Sequence, residues 1–136
     1  MTPPAYGPGM APSIYPVLRF ADADLALSFL RDAFGFDEVS VHRDDQGTIV
    51  HALMAWQGDL FMFSGSKGAG DAFDLGPSVV YVAVDDPDAH HDRAVAAGAE
   101  LVMELTDQDY GSREYAARDP EGNVWCFGTY RPAAPT

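Results

Sequence analysis

The stretch DDQGTIVHALMAWQGDLFMFSG (residues 44–65) lies without gaps over QDYGSREYAARDPEGNVWCFGT (residues 108–129), an offset of 64 positions. Asp45 meets Asp109, Gly47 meets Gly111, Ala52 meets Ala116, Gly58 meets Gly122 and Phe63 meets Phe127. Leu60 over Val124 and Phe61 over Trp125 keep bulky apolar character. The glycines coincide at both turns, where the backbone needs positive φ. Turns and apolar runs that stay in phase mark an internal duplication.

The preceding segments correspond as well. YPVLRFADADLALSFLRDAFGFDEV (15–39) lies over VVYVAVDDPDAHHDRAVAAGAELVM (79–103), with one residue of slippage before Gly35 and Gly98. Each copy begins with a β-branched or aromatic run (14–20 and 79–84) and then an acidic cluster. Asp22 or Asp24, and Asp86 or Asp88, can cap a helix by accepting backbone N–H bonds. Leu25, Ser28, Phe29, Asp32 and Ala33 give the first helix a mixed face, and residues 89–97 bring small side chains suited to packing on a sheet. Gly35 and Gly98 end the helices.

Each half therefore reads β-α-β-β-β. The expected fold class is α+β: two tandem βαβββ modules forming a curved, cup-shaped mixed β-sheet with the helices outside. Module 1 spans about 14–64, the Gly-rich segment GSKGAGDAFDLGP (65–77) links it to module 2 at about 78–130, and 14–130 makes a single domain. The Pro/Gly-rich residues 1–13 and the tail 131–136 read as flexible ends.

Composition removes several classes of function. A length of 136 residues suits one domain with a core of its own. With 21 acidic against 8 basic residues, the net charge of −13 argues against nucleic acid or anionic lipid as a partner. A single cysteine excludes an internal disulfide and fits a reducing compartment. No apolar run approaches the roughly 20 residues that span a bilayer. The N-terminal MTPPAYGPGMAP has neither the basic nor the apolar region of a secretory signal. A cytoplasmic protein with no membrane partner is expected.

The paired βαβββ chain, with FLRDAFGF (29–36) after the first helix and DPEGNVWCFGTY (119–130) at the end, resembles the vicinal-oxygen-chelate superfamily. That group includes glyoxalase I, extradiol dioxygenases and bleomycin-resistance proteins, and the resemblance covers essentially all of residues 14–130. Within it the chain looks most like the small bacterial glyoxalase/bleomycin-resistance-like proteins. The resemblance implies homodimers. It also implies, for metal-using members, one ligand from the first strand of each module, usually histidine, and one from the last, usually glutamate.

At those positions this chain carries Tyr15 and Val79, and Met62 and Cys126. Valine cannot ligate, and tyrosine and thioether are poor ligands for the divalent ions such enzymes use. One thiolate cannot hold zinc, which wants about four ligands. A slip of two residues brings in Ser64, Arg19 or Tyr81, none of which restores an acid–histidine pair. The expectation is no metal and no cofactor, and the balance leans away from an enzyme.

Strand alternation nominates the side chains of the cup. If the hairpin across Gln57 and Gly58 sets Leu53 opposite Met62, then His51 and Leu60 share their face. The same register in module 2 sets Arg113, Tyr115 and Ala117 with Cys126. The first strands add Tyr15, Val17 and Arg19, with Val79 and Tyr81. Ligand-binding candidates are therefore Tyr15, Arg19, His51, Leu53, Met62, Tyr81, Arg113, Tyr115 and Cys126, a mostly apolar and aromatic set with a few polar groups.

Each candidate also has a plainer reading. His51 is either a hydrogen-bonded structural residue or a base. Arg19 and Arg113 either bind an anionic group or pair with carboxylates. Cys126 has no basic neighbour in sequence to activate it and reads as packing. His90 and His91, adjacent on a helix, read as solvated surface, and His42 as exposed beside a turn. Residues 110–113 form a pocket rim or merely a turn. There is no Ser-His-Asp ordering, Gly-rich phosphate loop or CxxC motif.

The function expected is metal-free sequestration of a small molecule, cationic or aromatic, of the drug- or antibiotic-resistance type. Aromatic side chains would supply contact area and cation–π attraction. The alternatives are a metal-dependent isomerase, lyase or dioxygenase with a displaced site around His51, or a metal-free acid/base enzyme using His51 or Tyr115. A third possibility is a cup that serves only oligomerisation.

Overall fold

The computed structural model describes residues 13–132. The segments expected to be flexible, 1–13 and 131–136, lie almost wholly outside the described residues. The chain divides into two compact units between Gly76 and Pro77, and each contains one βαβββ module.

The first unit runs β1 (Val17–Phe20), α1 (Ala23–Asp32), β2 (Asp37–Arg43), β3 (Ile49–Trp56) and β4 (Asp59–Gly65). Its four-stranded mixed sheet has the order β1-β4-β3-β2, with β1 parallel to β4 and the other pairs antiparallel. The Asp22 carboxylate caps α1 by accepting the Leu25 N–H at 3.0 Å, supplying one of the acceptors that the first turn lacks. The helix closes with Gly35 N–H donating to Arg31 O at 3.1 Å and Phe36 N–H to Leu30 O at 3.3 Å. That pair of bonds turns the chain back toward the sheet.

Gln57 (φ 48°) and Gly58 (φ 91°) are both left-handed, as a two-residue hairpin turn requires. The turn sets Leu53 opposite Met62, the register expected from the sequence. Alternation then buries Leu18, Phe20, Ala52, Met54, Phe61 and Phe63 on one face of the sheet. Phe20 meets Phe63 edge-on at 5.2 Å and Phe36 meets Phe61 at 5.1 Å, and together with Leu27 and Leu30 of α1 they form the core. Each such ring, fully buried, is worth roughly 1.5–3 kcal/mol.

The second unit runs β5 (Val79–Ala83), α2 (Pro87–Ala96), β6 (Glu100–Asp107), β7 (Arg113–Arg118) and β8 (Val124–Gly128), with sheet order β5-β8-β7-β6. Asp86 caps α2 through the Ala89 N–H at 3.1 Å, and Pro87 stands in the first turn, where its missing N–H costs nothing. Ala99 N–H returns to Ala94 O at 3.0 Å to close it.

The second hairpin departs from the first. Asp119 N–H donates to Asn123 O at 3.0 Å and Gly122 N–H to Asp119 O at 3.1 Å, leaving the three-residue loop 120–122 with Gly122 at φ 90°. Three-residue hairpin loops take a glycine in that left-handed position. The buried Asp119 carboxylate organises the turn. Its Oδ1 accepts from Glu121 N–H (3.0 Å) and Asn123 N–H (3.1 Å), and its Oδ2 from Asn123 Nδ2 (2.9 Å) and Trp125 Nε1 (3.0 Å).

One more loop residue shifts the register by one, so Cys126 pairs with Ala116 and not Ala117. A slip of one residue exchanges the two faces of a strand. The expectation that Arg113, Tyr115 and Ala117 share the face of Cys126 is therefore corrected: Glu114, Ala116 and Arg118 do. Tyr115 and Ala117 are fully buried on the opposite side with Trp125 and Phe127. Among the described residues no helix is long and apolar enough to cross a membrane.

Candidate functional site

Within each unit one face of the sheet packs on the helix, and the alternate residues face away from it. In the first unit the outward set is Val17, Arg19, His51, Leu53, Met62 and Ser64. Val17 is 55% exposed, while His51, Leu53 and Met62 are half-buried. His51 Nε2 lies 3.2 Å from Met62 Sδ, and the His42 ring centroid, across the β2–β3 pair, is 6.1 Å from that of His51. Tyr15 precedes β1, so the residue beside Met62 is Val17, not Tyr15.

Arg19 is occupied by acidic partners. Its Nη1 lies 3.3 Å from Asp74 and 3.7 Å from Asp71, and its guanidinium stands 5.5 Å from the Phe73 ring centroid. Asp74 also accepts the N–H groups of Lys67 (2.7 Å) and Gly68 (2.9 Å), so the glycine-rich linker is fastened to β1. Arg113 reaches Asp88 of α2 at 2.9 Å and Asp107 at 3.2 Å. Of the two readings open for these arginines, pairing with carboxylates is the one observed.

In the second unit the outward set gathers around Glu114, which sequence reasoning missed. Tyr81 lies beside Cys126 in the β5–β8 pair, and Val79 lies beside Val124. Glu114 is only 5% exposed, and its Oε1 accepts the Tyr110 hydroxyl at 2.9 Å and faces Cys126 Sγ at 4.0 Å. The Tyr81 hydroxyl donates to Tyr130 O at 2.7 Å, and the rings of Tyr110 and Tyr130 meet edge-on at 6.0 Å. Ser112 Oγ accepts the Tyr130 N–H at 3.1 Å, tying the outgoing chain to the start of β7.

Gly128, paired with Glu114, makes the packing possible. A Cβ there would fall 2.5 Å from Glu114 Cγ and 2.9 Å from the Tyr81 hydroxyl.

The titrating groups around Glu114 all move the same way. The hydrogen bond to Glu114 pushes the Tyr110 phenol up to about 12. Burial, opposed by a hydrogen bond with Ser112 and reinforced by the charge of Glu114, raises Tyr81. Burial first and Glu114 second raise the Cys126 thiol, which keeps it protonated and unreactive at neutral pH.

Two expectations lie away from both faces. Tyr115 is sealed in the core, where its hydroxyl meets His90 Nδ1 and its pKa is raised by burial. It is not available for acid/base work on the outward face. His90, expected on the solvated surface, is buried against Tyr115 and Phe127 because the shifted register turns Tyr115 toward α2. His91 is held between Asp92 (3.0 Å) and Glu104 (3.1 Å).

The donors do not fit the divalent metal that the fold family implies. Met62 has Val17 and His51 as neighbours, and Cys126 has Tyr81 and Glu114. Among the described residues no three His, Cys, Asp or Glu side chains are grouped to hold an ion.

Residues 14–127 match the family model described as Glyoxalase/Bleomycin resistance protein/Dioxygenase superfamily. The uncharacterized protein Mb0911c of Mycobacterium bovis is 32% identical over 126 residues, covering 86% of this chain and 82% of that one. The crystal structure of TioX from Micromonospora sp. ML1 superposes with a TM-score of 0.71 at 30% identity, over 85% of this chain and 98% of that one. Lactoylglutathione lyase from Agrobacterium tumefaciens shares the fold, with a TM-score of 0.64 at 21% identity over 86% of this chain and 93% of that one.

Proposed function

Because this chain belongs to the Glyoxalase/Bleomycin resistance protein/Dioxygenase superfamily, we propose that it binds a small organic molecule on the outward face of a sheet and holds it without transforming it. The observation that carries this reading is the makeup of the outward faces. In the first unit half-exposed Val17, Leu53 and Met62 supply apolar contact, and in the second Tyr81 supplies an aromatic ring, each face carrying a few hydrogen-bonding groups. Sites that bind small molecules have that composition.

The chemistry of the groups favours holding over turnover. The Cys126 thiol is pushed away from its nucleophilic form, Tyr115 is inside the core, and His51 Nε2 meets the Met62 thioether at 3.2 Å, with no salt bridge from His51 to an acid among the described residues. In this reading the protein is a cytoplasmic homodimer of the sequestration type, protecting against a drug-like compound by lowering its free concentration. Acidity favours encounter with cationic compounds.

Calorimetric titration with a panel of neutral and cationic planar aromatic compounds tests the proposal. At least one binder near micromolar affinity is expected, recovered chemically unchanged. A flat response across the panel, or conversion of the bound compound, overturns it. Light scattering of the same sample gives the dimer or its absence.

A further inference from the structure

The geometry points to a cation-recognition site in the second unit, in which the Glu114 carboxylate and the rings of Tyr81, Tyr110 and Tyr130 receive an alkylated ammonium group. The proposal rests on the binding reading above and names the chemical class of ligand that one face selects.

Glu114 is 5% exposed, yet among the described residues no arginine, lysine or histidine pairs with it. Arg113, its neighbour in sequence, points to the other face and is spent on Asp88 and Asp107. Arg118, on the same face of β7, is spent on Glu100 at 3.1 Å. A carboxylate drawn this far from water ordinarily brings a countercharge with it. Only Oε1 is satisfied, by the Tyr110 hydroxyl at 2.9 Å with the Cys126 thiol at 4.0 Å. Oε2 has no hydrogen-bond partner among the described residues and is not sealed off, since the one fully buried side-chain polar atom left unpartnered there is Arg19 Nε.

The surroundings suit a soft cation and not a metal ion. Three tyrosines, 39% (Tyr81), 62% (Tyr110) and 51% (Tyr130) exposed, stand about the carboxylate, and Tyr110 and Tyr130 meet edge-on at 6.0 Å. Their hydroxyls are already committed, Tyr110 to Glu114 and Tyr81 to the Tyr130 carbonyl, so the rings are what remains to offer. Aromatic faces attract a cation most strongly when it sheds water easily, as an alkylated ammonium does. Gly128 lets Glu114 and Tyr81 pack side by side, since a Cβ there would fall 2.5 Å from Glu114 Cγ and 2.9 Å from the Tyr81 hydroxyl. The Tyr110 phenol is raised chiefly by its hydrogen bond to Glu114, and that of Tyr81 chiefly by burial, with the Glu114 charge adding.

The test compares choline and benzyltrimethylammonium with the uncharged isostere 3,3-dimethylbutan-1-ol, by NMR titration of the full chain. Both cations are expected to bind about tenfold more tightly than the isostere. The preference should disappear in Glu114→Gln, while Tyr110→Leu should weaken cation binding and leave some preference. The comparison on the unmodified protein needs no variant, so it stands even if Glu114→Gln fails to fold. Equal binding of cation and isostere overturns the proposal, as does an undiminished preference in a folded Glu114→Gln protein or no cation binding at all. If the neutral aromatic panel still yields a binder in those cases, the binding function survives and only the cation site is lost.

Discussion

His51 and Glu114 hold the same place in the two modules. Each lies two residues before the one that faces the middle of the last strand, Leu53 opposite Met62 and Ala116 opposite Cys126. Each approaches the sulfur of that strand, His51 Nε2 at 3.2 Å from Met62 and Glu114 Oε1 at 4.0 Å from Cys126. A duplicated scaffold thus offers an imidazole in one copy and a carboxylate in the other.

Replacing Glu114 by Gln removes the charge that holds the Tyr110 proton. The Tyr110 phenol, now pushed up to about 12, should fall toward the ordinary tyrosine value of about 10. Ultraviolet titration between about pH 10 and 11 should then gain one ionising tyrosine relative to the parent. An unchanged titration curve would mean that the hydrogen bond to Glu114 does not control this phenol.

Asp119→Ala strips four hydrogen bonds from the second hairpin and leaves the buried Asn123 amide and Trp125 indole N–H without their acceptor. A loss of about 3 kcal/mol in denaturant unfolding is expected, with Asp119→Asn costing less because one acceptor remains. Tryptophan emission should shift as Trp125 loosens.

Tyr115→Phe keeps the ring stacked on Phe127 at 5.2 Å and deletes only the hydroxyl that meets His90. The buried imidazole loses this one hydrogen bond, and stability should fall by about 1 kcal/mol. Ligand affinity should be unaltered, because Tyr115 lies on the helix side of its sheet. A selective loss of binding in this variant would contradict that placement.

His91 is raised above its ordinary 6.5, with the hydrogen bond to Asp92 leading and Glu104 adding. A folded-state pKa above the unfolded value stabilises fully below the unfolded pKa and is lost as pH rises through the folded one. The difference in Tm between the parent and His91→Gln should therefore be largest in mildly acidic buffer and shrink above neutrality. A difference that grows with pH would reverse the assignment.

Gly128→Ala should push Glu114 and the Tyr81 hydroxyl out of position, since the new methyl would lie 2.5 Å from Glu114 Cγ. Overpacking of this kind costs about 1–3 kcal/mol. The folded fraction should show a lowered Tyr110 pKa and weaker ligand binding, readable in the same titrations.

Much of the architecture was legible because its determinants are local. Asp22 and Asp86 announce the helix starts, and Gln57-Gly58 announces a two-residue turn whose register follows directly. The second hairpin was not legible from the duplication, because a gapless match of Gly58 to Gly122 conceals that one loop holds two residues and the other three. The signal was present in the Pro-Glu-Gly spacing after Asp119. Missing it hid Glu114 behind Tyr115 and sent His90 to the surface, since a histidine on a helix of small residues is buried only when a partner such as Tyr115 turns to meet it. The resemblance named Met62 and Cys126 on the last strands, but the residues beside them, Val17 and Tyr81, depended on pairings that only the sheet reveals.

The extra residue in the 120–122 loop makes the second site a property of spacing more than of side-chain choice. Deleting Pro120 leaves every residue of β7 in the chain yet favours the two-residue connection of the other hairpin, which would carry Glu114 inward and bring Tyr115 out. A change of length at the far end of a hairpin, touching no contact residue, can thus rewrite the charge that a ligand meets. Duplicated proteins of this kind can acquire a new specificity in their turns before any residue lining the site mutates.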